Sequence, residues 1–266
     1  MKRFTIILSA LLFCVAASAQ EPQFADNKVI SHRGAWKNTG HPQNSLASFR
    51  AAAEMGCHGS ECDVHLTLDD SLVIYHDLSH AGMLIEKTNY ADLVKVPLKN
   101  GEKIPTLREY IIRAKQYPRT KLIIDVKTPQ ETARATRIAL AAAKEVKAMN
   151  FEQSVEYLLG YLPAVEALAK VTNCPMAYLG RWKVELPEMH PDTIANRKIR
   201  FLDYQDVHYK NHPEWIETFK ARGIHLNAWT INSEADMDWF LEHDFDYITT
   251  DYPERLLEKC AELKKK

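Results

Sequence analysis

The 266-residue chain lacks an excess of positive charge. It carries 34 lysines and arginines against 35 aspartates and glutamates, which gives a formal net charge of −1 at pH 7. A protein that holds a nucleic-acid backbone needs a cationic surface to neutralise the phosphates. We therefore expect no nucleic-acid partner.

Cysteine is also scarce, with five residues in the chain. Four of them, Cys57, Cys62, Cys174 and Cys260, are scattered over the part that follows the N-terminal segment. Such spacing does not form the disulfide framework of small secreted domains. A single bond between Cys57 and Cys62 stays open, because it only requires their Cβ atoms to lie within about 4.5 Å of each other.

The N-terminal apolar run is too short to span a membrane. It extends from Phe4 to about Val15, whereas a spanning helix needs roughly 20 residues. Basic residues precede the run and the small residues 17–19 follow it, the pattern of a secretory signal peptide. We expect residues 1–19 to be removed and residues 20–266 to be exported across the inner membrane to the periplasm, without stable membrane insertion.

The rest of the chain alternates apolar strand-like runs with helix-like periodic stretches. The strand-like runs are continuously apolar, as in a parallel sheet covered by helices. We predict eight strand units, the second with a hairpin-like continuation, at residues 28–32, 59–68 with 72–77, 121–127, 155–160, 176–180, 200–205, 224–231 and 246–251. Helices are predicted at residues 45–55, 107–116, 131–149, 162–171, 213–222, 233–243 and 253–263.

The predicted order of elements favours one α/β domain. A doubly wound sheet usually shows a glycine-rich dinucleotide turn near its start, and the chain has none, so a (β/α)8 TIM-type barrel fits better. Residues 78–104 break the alternation, and we predict that they form a small insertion after strand two, over one barrel mouth. No repeat or linker divides residues 20–266 further.

Polar residues fall at the carboxyl ends of the predicted strands, where functional groups of such barrels lie. They are His32 and Arg33; Glu61, Asp63 and His65; His76 and Asp77; Asp125 and Lys127; Gln205, Asp206 and His208; Asn227, Trp229 and Thr230; and Thr250 and Asp251.

Three carboxylates in this set predict a metal site. Glu61 and Asp63 are two residues apart on a strand and therefore point to the same face, and Asp125 lies on the neighbouring strand. Converging carboxylates repel each other unless a cation lies between them, and oxygen ligands of this kind suit Mg²⁺ or Ca²⁺. For any one of these carboxylates, the alternative is a salt bridge to a structural lysine or arginine.

Two histidines and two cations next to this site indicate phosphate chemistry. His32 and His76 are candidates for general acid and base, because imidazole titrates near neutral pH. Arg33 and Lys127 would hold an anionic phosphate while one imidazole activates a hydroxyl and the other protonates the leaving oxygen.

Seven segments carry a family resemblance when they are taken in order. They are SHRG at 31–34, HPQNSLASFRAAAEMG at 41–56, SECDVHLTLDDSLVIYHD at 60–77, IPTLREY at 104–110, LIIDVK at 122–127, LNAWTIN at 226–232 and YITTDYP at 247–253. Together they resemble the glycerophosphodiester phosphodiesterase family. The resemblance implies a TIM-type barrel, a divalent metal and a small-molecule phosphodiester substrate.

The resemblance also implies roles for individual residues. These are His32 and His76 as the acid/base pair, Glu61, Asp63 and Asp125 as metal ligands, Arg33 and Lys127 as phosphate contacts, and Trp229 as an aromatic wall of the substrate pocket. For Trp229, simple core packing is the alternative. The chain departs from the family pattern at Gln43 and Asp125, where glutamate is usual, and both changes bear on metal affinity and on the choice of alcohol.

The expected function is therefore an exported, metal-dependent phosphodiesterase that hydrolyses glycerophosphodiesters to glycerol phosphate and an alcohol. One alternative is hydrolysis of another lipid-derived or envelope phosphodiester, with Met83, Leu84 and Ile85 facing a lipid. A second alternative is a non-catalytic barrel that binds a phosphodiester or a glycan, which only Gln43 and Asp125 favour. The sequence specifies neither the alcohol nor the oligomeric state.

Overall fold

The computed structural model describes residues 22–180, 190–197 and 199–265. The predicted signal peptide lies outside these described residues. The described residues form eleven strands: β1 (Val29–Ser31), β2 (Gly59–Leu66), β3 (Leu72–Ile74), β4 (Ser79–His80), β5 (Met83–Leu84), β6 (Lys121–Val126), β7 (Val155–Leu159), β8 (Met176–Tyr178), β9 (Phe201–Gln205), β10 (His225–Trp229) and β11 (Tyr247–Thr250).

The predicted barrel is confirmed. Eight parallel strands follow one another in the order β1-β2-β6-β7-β8-β9-β10-β11, and β11 pairs back with β1 to close the sheet. The strand β3 pairs antiparallel with β2, as the predicted hairpin-like continuation requires. Closure brings the carboxyl ends of all eight strands to one mouth of the barrel.

Ten α-helices accompany the strands in the described residues. They are α1 (Leu46–Met55), α2 (Tyr90–Leu93), α3 (Leu107–Ala114), α4 (Arg134–Ala148), α5 (Leu162–Leu168), α6 (Pro191–Asn196), α7 (Asp206–Asn211), α8 (Glu214–Ala221), α9 (Glu234–Glu242) and α10 (Pro253–Leu263). The seven predicted helices are present. The sequence analysis missed α2, α6 and α7, because helices of four to six residues are too short to show a helical period.

Apolar side chains fill both the barrel and the space between barrel and helices. Inside the barrel, Ile30, Ile123, Leu158 and Ala177 pack together. Two larger clusters lie between the strands and the surrounding helices. The polar groups of the site lie above the interior cluster, on the same inward face of the strands.

The predicted insertion at 78–104 contains more structure than its sequence pattern indicates. The strands β4 and β5 form a hairpin, and α2 follows. Val73, Ile85, Leu93, Leu98 and Ile104 form a small core of their own. The apolar residues considered for lipid contact are partly turned inward, because Ile85 is buried and Met83 packs against this core.

The four cysteines of the described residues are buried free thiols. Cys57 packs in the cluster that includes α10, and Cys62 packs in the other cluster between β2 and its helices, so the possible bond between them does not form. Among the described residues, no helix has both the length and the apolarity to cross a membrane.

Candidate active site

Two neighbouring barrel strands bring the three predicted carboxylates together. Asp63 on β2 and Asp125 on β6 are direct partners in the parallel register, and Glu61 lies two residues before Asp63 on the same face. One oxygen of each carboxylate lies within 4.8 Å of the others, and all three residues are buried. The shorter side chain of Asp125 still reaches the cluster because its strand position is directly opposite Asp63.

The electrostatics of the triad are uneven. Burial, followed by repulsion from Asp63 and Asp125, raises the pKa of Glu61 well above its ordinary value. Burial likewise raises the pKa of Asp125 to about 6. Burial opposes ionisation of Asp63 as well, but the charges of Lys127 and Arg33 outweigh it and lower the pKa of Asp63.

Lys127 and Arg33 are held against the carboxylates. The Lys127 ammonium Nζ lies 3.1 Å from Asp63 Oδ1 and 3.1 Å from Asp125 Oδ2. The Arg33 Nε lies 3.5 Å from Asp63 Oδ2. Burial would lower the pKa of Lys127, but Asp125 and Asp63 raise it above its ordinary value, so the side chain stays cationic.

A tight turn after β1 aims the backbone of Arg33 at the triad. Arg33 and Gly34 both have left-handed backbones, with φ of 58° and 78°. A Cβ at Gly34 would lie 2.6 Å from the backbone carbon of Ser48, so only glycine fits against α1 there. The turn lets the Arg33 N–H donate to Glu61 Oε2 at 2.8 Å, while Arg33 Nη1 donates to Gln43 Oε1 at 2.8 Å.

Asn44 clamps Asp63 through two hydrogen bonds. Its Nδ2 donates to Asp63 Oδ2 at 2.6 Å, and its Oδ1 accepts the Asp63 backbone N–H at 3.1 Å. Both residues are 1% exposed. Asn44 has a left-handed backbone, with φ of 59°, which asparagine tolerates better than most residues.

The two predicted acid/base histidines each contact a carboxylate. His32 Nδ1 lies 2.8 Å from Asp251 Oδ1, and His76 Nδ1 lies 2.7 Å from Asp77 Oδ1. Burial lowers the pKa of both imidazoles, and the charge of Asp63 opposes this in each case.

Trp229 and His65, two further predicted residues, lie near the carboxyl ends of their barrel strands. Trp229, the last residue of β10, is half-buried, and its Nε1 donates to the Asp203 carbonyl at 2.8 Å. The buried His65 has Nε2 3.3 Å from the His76 carbonyl, and burial lowers its pKa to about 4. A neutral His65 thus supports the segment that carries His76.

The residues after β9 have structural roles instead. Asp206 begins α7 and accepts a hydrogen bond from Lys210 one turn later at 2.7 Å, and His208 is a buried residue of the same helix.

The donor set fits a hard divalent cation. Without one, three buried carboxylates repel each other, and the raised pKa values of Glu61 and Asp125 show that the site holds them as anions with difficulty. Carboxylate oxygens grouped in this way are ligands that Mg²⁺ and Ca²⁺ accept. The triad could therefore hold a metal ion.

Comparison with known proteins agrees with this geometry. A model of the glycerophosphoryl diester phosphodiesterase family matches residues 32–255. The chain belongs to this family. Membership in a family of phosphoric diester hydrolases favours catalysis over the non-catalytic barrel that Gln43 and Asp125 had left open.

Individual relatives of the family support the assignment over most of the chain. A glycerophosphodiester phosphodiesterase from Caldanaerobacter subterraneus subsp. tengcongensis is 28% identical over 86% of this chain and 96% of its own length. A crystal structure of a glycerophosphodiester phosphodiesterase from Parabacteroides distasonis is 33% identical, has a TM-score of 0.83, and covers 91% of this chain and 99% of its own. A phosphodiesterase from Oleispira antarctica, in complex with the product sn-glycerol-3-phosphate, shares the fold at 23% identity and a TM-score of 0.74, covering 87% and 96%.

Sequence reasoning assigned no role to three residues of this family member's site. Asn44 lies within a quoted motif, and its position directly before the helix-capping Ser45 was its only signal. Asp251 was noted as a polar strand end without a function. Asn232 likewise lies in a quoted motif directly before the helix-capping Ser233, but its contacts depend on how the loops after β10 and β11 meet.

Proposed function

We propose that this protein is a metal-dependent hydrolase that cleaves a glycerophosphodiester into glycerol phosphate and an alcohol. The observation that carries the proposal is the arrangement around Asp63. This carboxylate joins the acidic triad and contacts Lys127 and Arg33, and Arg33 directly follows His32. The Asp63 carbonyl accepts the N–H of Tyr75, the residue before His76, at 3.0 Å. The product bound in the Oleispira antarctica relative supports the same class of substrate.

The charge of the site suits a phosphodiester once a divalent cation is present. When all three carboxylates are ionised, they and the two cationic side chains leave one excess negative charge, which repels an anionic substrate. Mg²⁺ or Ca²⁺ held by Glu61, Asp63 and Asp125 would reverse that charge and polarise a phosphoryl oxygen. Arg33 and Lys127 would then bind the remaining phosphate oxygens and orient them.

The two histidines would move the protons. In the first step, the glycerol hydroxyl next to the diester attacks phosphorus, one imidazole takes its proton, and the bond from phosphorus to the alcohol oxygen breaks. The other imidazole donates a proton to that leaving oxygen. Water then opens the resulting cyclic phosphate with the two imidazoles in exchanged roles, which gives glycerol phosphate and restores the enzyme. Half-buried Trp229 would form one wall of the pocket.

The test is turnover of defined diesters by purified residues 20–266. Glycerophosphocholine, glycerophosphoethanolamine, glycerophosphoglycerol and glycerophosphoinositol would be supplied with Mg²⁺ or Ca²⁺, and again with a chelator. We expect chelator-sensitive release of glycerol phosphate, and the preferred diester identifies the alcohol. Binding of the diesters without turnover, or turnover only of phospholipid in liposomes, would overturn the proposal.

Two variants test the roles of the histidines. We expect His32→Ala and His76→Ala each to lower kcat at least about a hundredfold, the usual contribution of a general acid or base. His225→Ala is the matched control, because His225 lies exposed at the amino end of β10, at the opposite mouth. Near-normal turnover in either of the first two variants, with the fold intact, would contradict the assigned roles.

We also propose that the protein is exported and that cleavage follows Ala19. The support is the basic, apolar and small-residue pattern of residues 1–19. Cell fractionation and N-terminal sequencing test it. We expect periplasmic protein that begins at Gln20, and an uncleaved cytoplasmic protein would refute export.

A further inference from the structure

A chain of hydrogen bonds leads from His32 to two residues outside the triad. His32 follows β1, Asp251 follows β11 and Asn232 lies in the loop after β10, so three neighbouring strands contribute one residue each. His32 Nδ1 lies 2.8 Å from Asp251 Oδ1, and Asn232 Nδ2 donates to Asp251 Oδ2 at 2.9 Å. Both oxygens of the Asp251 carboxylate are thus engaged.

The orientation of the Asn232 amide is fixed by the backbone. Its Oδ1 accepts the Asp251 backbone N–H at 2.9 Å and the Thr250 hydroxyl at 3.3 Å. Because an N–H can only donate, the oxygen of the amide must face the Asp251 backbone. The nitrogen must then face the Asp251 carboxylate, which accepts from it.

The charge state of Asp251 makes it the acceptor of the hydrogen bond with His32. Burial would raise its pKa, but the hydrogen bonds and charge of His32 and the donation from Asn232 lower it, so Asp251 remains a carboxylate. A carboxylate has no proton to donate, and the Nδ1 of a neutral His32 must therefore carry the hydrogen. Nε2 is left with the lone pair of the ring.

We propose that Asp251 and Asn232 are positioning residues that hold His32 in the Nδ1–H tautomer and in a fixed ring orientation, with Nε2 free to exchange the substrate's proton. The inference rests on the proposed function, in which His32 is one of the two proton carriers. It goes further by naming the groups that prepare His32 for that task. Asn232 acts through Asp251, and Asp251 acts through His32.

Two other histidine–carboxylate pairs lack this arrangement. Asp77 is exposed and directly follows His76 in sequence, so solvent competes for its pairing. His225 and Asp246 form a pair at 2.9 Å between the amino ends of β10 and β11, at the opposite mouth. Asp246→Asn is therefore a matched control for Asp251→Asn: it makes the same chemical change in the same kind of pair, away from the chemistry.

The substitution Asp251→Asn reverses the hydrogen-bond direction. Asn232 Nδ2 still donates, so the new amide must turn its oxygen toward Asn232 and its NH₂ toward His32 Nδ1. Nδ1 then has to accept, and the proton moves to Nε2. We expect kcat to fall about a hundredfold or more, as for loss of His32, because the wrong tautomer removes its proton transfer; KM should change by no more than about twofold.

The double variant Asn232→Asp with Asp251→Asn restores the direction. A carboxylate at 232 still accepts the backbone N–H of residue 251 and now also accepts the NH₂ of the new amide. That amide then turns its oxygen to His32 Nδ1, which becomes a donor again. We expect recovery of kcat by about tenfold or more over Asp251→Asn, which a purely structural role would not produce.

The tautomer itself gives a readout that does not depend on turnover. Proton–nitrogen correlation spectra of protein labelled with ¹⁵N-histidine distinguish Nδ1–H from Nε2–H, and His32→Ala assigns the signal. We expect Nδ1–H in the unsubstituted protein, in Asp246→Asn and in the double variant, and Nε2–H in Asp251→Asn. Should Asp251→Asn not fold, Asn232→Ala replaces it, with kcat lowered about tenfold by the loosened carboxylate.

The failure of this inference is distinguishable from failure of the proposed function. An Nε2–H tautomer in the unsubstituted protein, or unchanged kcat in Asp251→Asn or in its replacement Asn232→Ala, would overturn the positioning roles. An unsubstituted enzyme with no turnover of any diester would instead overturn the proposed function, and the spectra would still decide the tautomer.

Discussion

The Asn44 clamp on Asp63 predicts a measurable loss of stability. We consider Asn44→Gly, because glycine accepts the left-handed backbone at this position and removes only the side chain. The variant loses a hydrogen bond to a charged carboxylate and leaves the buried Asp63 N–H without its acceptor. From the lower values for each loss, the free energy of unfolding should fall by about 2.5 kcal/mol. The melting temperature should fall by roughly 10 °C.

Urea denaturation in the presence of a chelator tests this prediction, since bound metal would otherwise add its own stabilisation. Asn150→Gly is the control: Asn150 also has a left-handed backbone, with φ of 49°, but it is exposed after α4. We expect it to change the free energy of unfolding by about 0.5 kcal/mol or less. If Asn44→Gly does no more than this control, the clamp does not hold Asp63 as argued.

Two other predictions concern charge at the site. Gln43→Glu would place a carboxylate against Arg33 Nη1, which donates to Gln43 Oε1 at 2.8 Å, and the new ion pair would compete with the substrate phosphate for Arg33. We expect KM to rise about fivefold at constant kcat, a cost of about 1 kcal/mol in substrate binding. Gln153→Glu, at an exposed position, is the control, and an unchanged KM in Gln43→Glu would contradict the prediction. Burial raises the pKa of Asp125 from 3.8 to about 6. Between these two pH values, and without metal, the folded state binds more protons than the unfolded state. The free energy of unfolding therefore falls as the pH rises from about 4 to about 6. Mg²⁺ or Ca²⁺ should therefore raise the melting temperature more at pH 7 than at pH 5, and an equal or smaller rise at pH 7 would argue against the triad as the metal site.

The fold and the convergence of the three carboxylates were predictable because their signals are local. Glu61 and Asp63 share a face through simple strand alternation, and continuous apolar runs indicated parallel strands. Ser45 and Ser233 cap helices at the positions that the sequence pattern indicates. These features need only a few neighbouring residues to be recognised.

The hydrogen-bond partners of the site were not predictable in the same way. His32 and Asp251 are 219 positions apart and meet only because β11 closes the barrel against β1. The Asn44 clamp likewise depends on a left-handed turn that places the residue over β2. Such contacts follow from closure and loop geometry, which spacing in the sequence does not encode.

The pairing of β2 with β6 makes the three carboxylates the most firmly held part of the site. Six consecutive register pairs, from Gly59 with Lys121 to Val64 with Val126, join these strands, and the three carboxylates all lie within that ladder. His32 and His76 lie just beyond strand ends, in segments with fewer backbone partners. Local opening is easiest where few buried contacts must break, so we expect the segment of His76, beside exposed Asp77, to move more readily than the three carboxylates. Movement near His76 would thus leave the three carboxylates, the proposed metal ligands, in their places.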